Sequence, residues 1–395
     1  MTRPPDWDVI ILGAGASGLM CAATAGRRGR RVLVVDHARR MGEKVRVSGG
    51  GRCNFTHRAA RPDHYLATDP DFPRLALQAF TPKDFIHLLD RHGIRHQEKE
   101  PGQLFCAGSA EQVVSMLQDE CRRSGVNILA GQKIHRVDAE QHRFAVTTDQ
   151  GRWQSAALVV ALGGRSMPKL GATTLGYDLA RQFGLKIVPP RPGLVPLTFG
   201  GEMLAQCRAW TGISLKATVS CSQARFTDEL LFTHRGLSGP VILQISSYWR
   251  PGEPLTLDLA PGIELFARLR QAKEEESGLH LRTVLSRFLP RKLATEWLVT
   301  QGGEGRMAEI ADKRLRLLAD GLHQWRVTPL GTSGFERAEV TVGGVDTNAL
   351  DPCTMACRTV PGLFFVGEVL DVTGWLGGFN LQWAWSSGHA AGLAV

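Results

Sequence analysis

The pattern of apolar and polar positions starts with a charge-free stretch, residues 9–26, in which β-branched and leucyl residues (9–12) give way to glycine and small residues. A short continuous apolar run predicts a strand buried on both faces, as in a parallel sheet. The small apolar residues of 19–25 continue as a helix that Gly29 closes, and a second apolar run, 32–35, ends in Asp36. Helical spacing recurs over 82–92 and over 111–124, the latter with Val113, Val114, Met116 and Leu117 on its inner face. Short strands are expected at 126–129, 133–137 and 144–147, and a fully buried one at 157–162 that ends in Gly163-Gly164 before a helix at 177–183. Residues 37–46 read as a loop and 58–100 as a polar, partly helical excursion. The run Val47 to Asn54, with Gly49, Gly50 and Gly51 consecutive, fits neither a helix nor a strand interior.

A cluster of prolines (Pro189, Pro190, Pro192, Pro196) marks a change of character. Beyond it lie short alternating strands such as 215–220 and 255–259, then a charged, leucine-rich helical stretch, 263–318. Strand character returns from 338, the run 363–366 leads into Gly367-Glu368, and 380–395 reads as a closing helix approached through Gly377-Gly378.

At 395 residues the chain exceeds what one core normally serves. Its eight cysteines are scattered without a CxxC pair, and the Cys353/Cys357 spacing has no second ligand pair, so reduced thiols and no metal site are expected. The net charge of +9 suits an anionic cofactor or substrate. The basic residues are dispersed with no recognisable nucleic-acid module, so a solvated basic surface is the expectation and nucleic acid a lesser alternative. Asp6 and Asp8 flank the first apolar run on the wrong side for a signal peptide, and its small residues make a poor membrane span. A cytoplasmic protein without a membrane span is expected.

The candidate chemistry begins at Gly13-Ala14-Gly15-Ala16-Ser17-Gly18, a GxGxxG turn between strand and helix. In this motif Gly13 makes the tight turn, Gly15 admits a pyrophosphate, and Gly18 lets helix and strand pack closely. The helix N-terminus offers unpaired N–H groups to the phosphates. Asp36, 23 positions after Gly13, stands where a ribose-binding carboxylate belongs. A second nominal match, Gly303 to Ala308, follows helical rather than strand sequence and lacks a following strand with an acid. A separate nicotinamide-binding domain is therefore not expected. The three glycines beside Arg52, Cys53 and Asn54 suit backbone pressed against a flat ligand.

Three stretches, Ser48 to Asn54 (SGGGRCN), Leu231 to Pro240 (LFTHRGLSGP) and Val366 to Gly392, together resemble the HI0933-like family of bacterial NAD(P)/FAD-dependent flavoproteins, some described as aminoacetone oxidase-like or bile-acid dehydrogenase-like. The resemblance runs from about Trp7 to the end of the chain. It implies an α/β fold: a Rossmann-type FAD-binding domain of the glutathione-reductase and fumarate-reductase kind, interrupted by an inserted β-barrel and a helical subdomain. The FAD domain would span 1–188 and 338–395, the barrel-like insert 189–262 with return strands at 321–337, and the helical subdomain 263–320.

Position by position, the resemblance implies that Gly13, Ala14, Gly15, Ala16, Ser17 and Gly18 face the pyrophosphate and Asp36 the adenosine ribose. Lys44 and Ser48, Gly49, Gly50, Gly51, Arg52, Cys53 and Asn54 would lie along the pyrophosphate and isoalloxazine, and Ile134 would flank the adenine. Gly163 and Gly164 would back the cofactor, Gly367-Glu368 would meet the ribityl chain, and Gly378, Phe379, Asn380, Leu381 and Gln382 would hold the pyrimidine edge. Trp375 stands where many relatives carry a polar or basic residue. One branch of the family is associated with reducing carbon–carbon double bonds conjugated to a steroid ketone.

Flavin carries the hydride chemistry, so the protein need add only orientation and a proton. Arg52, Cys53, His57 and His234 are the candidates for that part. The expected activity is FAD-dependent transfer of hydride from NAD(P)H, a transient co-substrate, to an unsaturated small organic acceptor. The alternatives are an RNA-associated flavoprotein akin to tRNA-modifying enzymes, and a flavin oxidase or sensor that NAD(P)H does not reduce.

Overall fold

The computed structural model describes residues 7–140, 143–301 and 303–395. The chain forms two units, one comprising residues up to Arg191 together with Val340–Val395, the other Pro192–Glu339.

In the first unit a seven-stranded sheet carries the core. Trp7–Leu12 sits between Val32–Asp36 and Gly151–Val160, parallel to both, and Asn127–Ala130 extends the parallel ladder beyond Val32–Asp36. Leu363–Phe365 pairs in parallel with Leu158, Val159 and Val160. Val9 to Leu12, Val32 to Val35 and Leu158 to Val160 are essentially inaccessible, as strands covered on both faces must be. The strand expected at 157–162 starts earlier, at Gly151, because its polar first half pairs antiparallel with Phe144 to Thr148. Ile134–Glu140 completes that meander.

Ala16–Arg27 packs against the closing helix Phe379–Ala394, and glycines set how closely they cross. A Cβ on Gly388 would lie 2.4 Å from the Ser17 carbonyl oxygen, and one on Gly392 would lie 2.8 Å from that of Cys21. Phe379–Ala394 has no polar face, which fits a helix enclosed by its own unit.

The loop expected over 37–46 is a correction. Residues Glu43–Gly51 begin as a helix after Gly42 in the left-handed region (φ 69°), and Val45 anchors that turn in the core. The helix then breaks at Ser48, Gly49 and Gly50, where φ reaches 57° and 66° at the two glycines. Within the polar excursion, Pro73–Ala79 and Pro82–Arg91 are helical, and His96–Glu98 joins the flanking strands Asn54–His57 and Gln103–Cys106 in a small antiparallel sheet.

The second unit holds a seven-stranded antiparallel sheet, in the order Trp325–Val327, Leu255–Asp258, Ser214–Ser220, Arg225–Thr233, Gly236–Ser238, Leu197–Thr198, Gly331–Thr332. The helices Leu265–Glu275, Arg291–Gln301 and Asp312–His323 share one core with it. Trp297, on the second of these, meets Trp325 edge-on at 5.4 Å, and Trp325 in turn lies 5.7 Å from Trp210. Helical stretch and β stretch thus bury their apolar faces together. The decoy glycines follow the helix Arg291–Gln301 and lead into the short turn Met307–Glu309. No helix among the described residues is long and apolar enough to cross a membrane.

Candidate cofactor cradle

The GxGxxG loop is shaped by contacts that only glycine permits. Gly13 adopts φ 106°, and a Cβ on Gly18 would sit 1.9 Å from the Gly13 carbonyl oxygen. Gly15 differs, because a Cβ there would meet nothing within 4 Å. It caps Ala16–Arg27 without any side-chain hydrogen bond, so no capping side chain takes up the first-turn N–H groups. Asp36 closes the other side. One carboxylate oxygen accepts from the Ala14 N–H (2.5 Å), the other from the Ala38 N–H (2.7 Å). Each oxygen keeps a lone pair for a ribose hydroxyl. The segment after Asn127–Ala130 borders this end of the cradle, with the Gln132 N–H donating to the Asp36 carbonyl. Ile134, two residues on, is buried.

Lys44 and Glu368, 324 positions apart, meet as an ion pair at 2.7 Å. The Lys44 ammonium also donates to Ser166 Oγ (2.8 Å), which leaves it one free N–H. Ser166 Oγ and the Thr341 N–H both donate to Glu368 Oε1, at 2.8 and 2.9 Å. Burial works to raise the Glu368 pKa, but the Lys44 charge and these hydrogen bonds outweigh it and hold the carboxyl below its ordinary value. Only Oε2 can accept further, and it is the oxygen nearer Gly163. Ser166 and Thr341 are absent from the sequence-based set. Ser166 lies two positions past Gly163-Gly164, the one local signal for it.

The second helix N-terminus lies at Gly378, φ 98°, where a Cβ would lie 2.6 Å from the Thr56 carbonyl. Asn54, with its amide oriented to satisfy both partners, donates to the Leu104 carbonyl (3.0 Å) and accepts from the Gly378 N–H (3.3 Å). Phe379, Asn380 and Leu381 open the helix and lack intrahelical acceptors for their N–H groups. The Asn380 side chain closes the preceding loop through Gly374 and Trp375.

Several residues carried over from the resemblance are engaged elsewhere. Gln382 is fully buried and its amide bonds Thr56, the Phe80 carbonyl and Ser386, so its side chain braces the helix instead of reaching a cofactor. The Gly367 N–H is taken by Ser387 Oγ, and this glycine serves close packing against Ser17. Ser48 Oγ donates to the Val45 carbonyl.

The four candidates for chemistry also separate. Cys53, in the left-handed region at φ 48°, is fully buried, and burial pushes its thiol up to about 12. That removes it as a thiolate or exposed proton donor. His57 stacks on Phe379 and its Nδ1 accepts from the Ala59 N–H. Burial and the neighbouring His64 hold His57 below its ordinary pKa. Arg52 is exposed, and among the described residues its guanidinium makes no ion pair or hydrogen bond. His234 belongs to the second unit, exposed in a hairpin turn whose geometry Thr233 sets by donating to the Gly236 carbonyl and accepting from the Arg235 N–H.

The arrangement fits FAD. Open space in front of Gly15, two helix N-termini without side-chain caps, left-handed glycines at 49 and 50, and a lysine with a spare donor form a cradle for an anionic, elongated ligand.

Comparison with known proteins agrees. The chain is 46% identical over 394 residues to the ribosomal RNA dihydrouridine synthase of Haemophilus influenzae, covering 98% of each. It is 29% identical to the 3-dehydro-bile acid delta(4,6)-reductase of Clostridium scindens, again over 98% of each. Among solved structures, a flavocytochrome c3 fumarate reductase in an open conformation superposes with a TM-score of 0.50, 14% identity, and coverage of 99% of this chain and 78% of the other. The model described as "HI0933-like protein Rossmann domain" matches residues 7–394, so the chain belongs to the HI0933-like family and has a Rossmann-type, FAD-binding oxidoreductase fold.

Proposed function

We propose that this protein is a flavin-dependent reductase of a carbon–carbon double bond conjugated to a carbonyl, and that the bond is C5=C6 of a uridine in ribosomal RNA. The reading rests on one observation: identity of 46% along nearly the whole length of a protein named as a ribosomal RNA dihydrouridine synthase. The more distant relative's name describes reduction of ring double bonds in a 3-oxo steroid. The two acceptors share their chemistry. In uridine, as at the 4-ene of such a steroid, hydride adds to the carbon β to the carbonyl and a proton to the α carbon. Uridine thus becomes dihydrouridine while one NAD(P)H and one proton are consumed. This moves RNA from the lesser alternative of the sequence reading to the preferred acceptor.

FAD, bound and reduced, supplies the hydride. The chain's own residues bind and orient. Backbone N–H groups at Gly15–Ser17 face the pyrophosphate, and Asp36 meets the ribose. The first-turn N–H groups at Phe379 to Leu381 face the pyrimidine edge, where they stabilise negative charge. The Lys44–Glu368 pair holds the ribityl side, and Arg52 is positioned as a free cation for an acceptor oxygen or phosphate. Without a second nucleotide fingerprint, NAD(P)H visits the same flavin transiently.

The test is an anaerobic titration of the flavin-loaded protein with NADH and NADPH, followed by in vitro transcribed ribosomal RNA and mass analysis of its nucleosides. Bleaching of the flavin band, then dihydrouridine two mass units above uridine, is expected. A flavin that bleaches but yields no dihydrouridine refutes the RNA acceptor. A flavin that neither nicotinamide reduces refutes the donor and favours an oxidase or sensor.

A further inference from the structure

Beside the Gly378 helix terminus stand four rings the cofactor cradle does not use. Phe379 forms the floor, only 3% exposed. His57 stacks on it with ring centroids 4.5 Å apart and planes 18° from parallel. His64 lies 4.9 Å from the same ring. Trp375 meets His64 edge-on at 4.7 Å. The backbone fixes this group: Val372–Gly374 pairs antiparallel with Tyr65–Ala67, and the Trp375 N–H donates to the His64 carbonyl. Tyr65 OH donates to the Phe379 carbonyl, locking the floor to the same ladder.

A packing role alone would bury these rings. His57, His64 and Trp375 are instead half-buried, each keeping part of its ring in the open. Burial and the neighbouring His64 hold His57 below its ordinary pKa, and burial and the Arg61 charge do the same for His64, so near neutrality both present uncharged ring faces. Arg61, three residues before His64, is exposed, and among the described residues its guanidinium has no ion pair or hydrogen bond. Arg58, by contrast, is spent on Glu98 at 2.8 Å. Half-open rings flanked by an uncommitted cation are what an unstacked base and its phosphate require.

We propose that His57, His64 and Trp375, on their Phe379 floor and with Arg61 beside them, form the seat for an unstacked nucleobase of single-stranded RNA at the flavin site. This rests on the RNA reading above. The base stacks on the half-open rings and the adjoining phosphate lies on Arg61. No covalent step is assigned to the seat, which is a binding and positioning element.

The experiment measures binding of in vitro transcribed ribosomal RNA to flavin-loaded wild type, Trp375→Ala, Trp375→Phe and Arg61→Gln over a range of salt. Base stacking on an aromatic side chain contributes about 1–3 kcal/mol. Trp375→Ala should therefore weaken binding by roughly 5- to 150-fold, with Trp375→Phe recovering most of it. Arg61→Gln should make the slope of log K against log salt shallower by about 1. Flavin content shows which variants are folded, and exposed Arg61 decides the matter if Trp375→Ala does not load flavin. Wild type that binds and modifies RNA, with variants unchanged within twofold and an unaltered slope, overturns the seat alone. Wild type that neither binds nor modifies RNA overturns the RNA reading and the seat with it.

Discussion

Two glycines three positions apart should fail in opposite ways when each is given a methyl group. At Gly15 the backbone is ordinary for an L-residue (φ −82°, ψ −168°), and the added Cβ meets nothing within 4 Å. The apo-protein should therefore fold, losing at most about 1 kcal/mol for alanine replacing glycine at an N-cap. The methyl would occupy the space where the phosphates approach. Losing one charge-assisted hydrogen bond costs about 1.5–3 kcal/mol, so FAD affinity should fall roughly 10- to 150-fold. At Gly18 the methyl would lie 1.9 Å from a backbone oxygen and 3.2 Å from the Ala161 Cβ, both held by the central strands. Overpacking there should cost more than the about 1–3 kcal/mol typical of an inserted methylene, and the domain should unfold or rearrange with or without FAD. Apo-protein melting and quenching of FAD fluorescence on titration separate the two effects. Gly15→Ala protein that melts normally and binds FAD within threefold of wild type would refute the placement of the pyrophosphate.

Three further outcomes follow from the site's contacts. Lys44→Met leaves the Glu368 carboxylate, about one-fifth exposed, without its cation, and should cost about 1–3 kcal/mol in denaturant unfolding. Because the pair holds the Glu368 pKa down, its stabilisation is present above about pH 4.5 and lost as the pH falls; Lys44→Met/Glu368→Gln should recover part of the loss, and strict additivity would deny the coupling. Gln382→Leu strands the Thr56 hydroxyl in the core, while the Phe80 carbonyl keeps the Ser386 hydroxyl, for an expected loss of about 1–3 kcal/mol in stability; a near-neutral result would return this side chain to the cofactor. His57 and His64 have folded pKa values below that of the unfolded chain, so the stability they contribute is complete above about pH 6.5 and declines as the pH falls below it. Melting from pH 7.5 to 5.5 should show a drop that shrinks in the His57→Gln/His64→Gln variant, and an equal drop in both proteins would contradict this.

The Rossmann half was legible along the chain because its instructions are local. A buried strand is an apolar run, the turn needs glycine within six positions, and the helix follows at once, so Gly13, Gly15 and Gly18 fall in the turn between Trp7–Leu12 and Ala16–Arg27, with Asp36 at the end of the neighbouring strand hydrogen-bonded back to it. The helix at Glu43 escaped notice because one buried residue, Val45, anchors its single regular turn, and a three-residue break ends it. The site's remaining logic is non-local. Lys44 and Glu368 are brought together by the parallel pairing of Leu363–Phe365 with the central sheet, and neither residue's surroundings in sequence announce the other. Gln382 sits beside the first-turn backbone proposed to meet the cofactor yet turns inward, because helical rotation carries it one residue past Leu381 onto the face that meets Thr56 and Phe80. Cys53 stands in the glycine-rich motif that the family resemblance puts beside a flavin, but its left-handed backbone and full burial remove the reactivity its neighbours suggest. Periodicity and turn chemistry thus determined the strands, the helices and the dinucleotide loop. Which side chains pair across the fold, which brace the frame, and which rings share one floor depended on contacts spanning up to several hundred residues, and only the tertiary structure decided those.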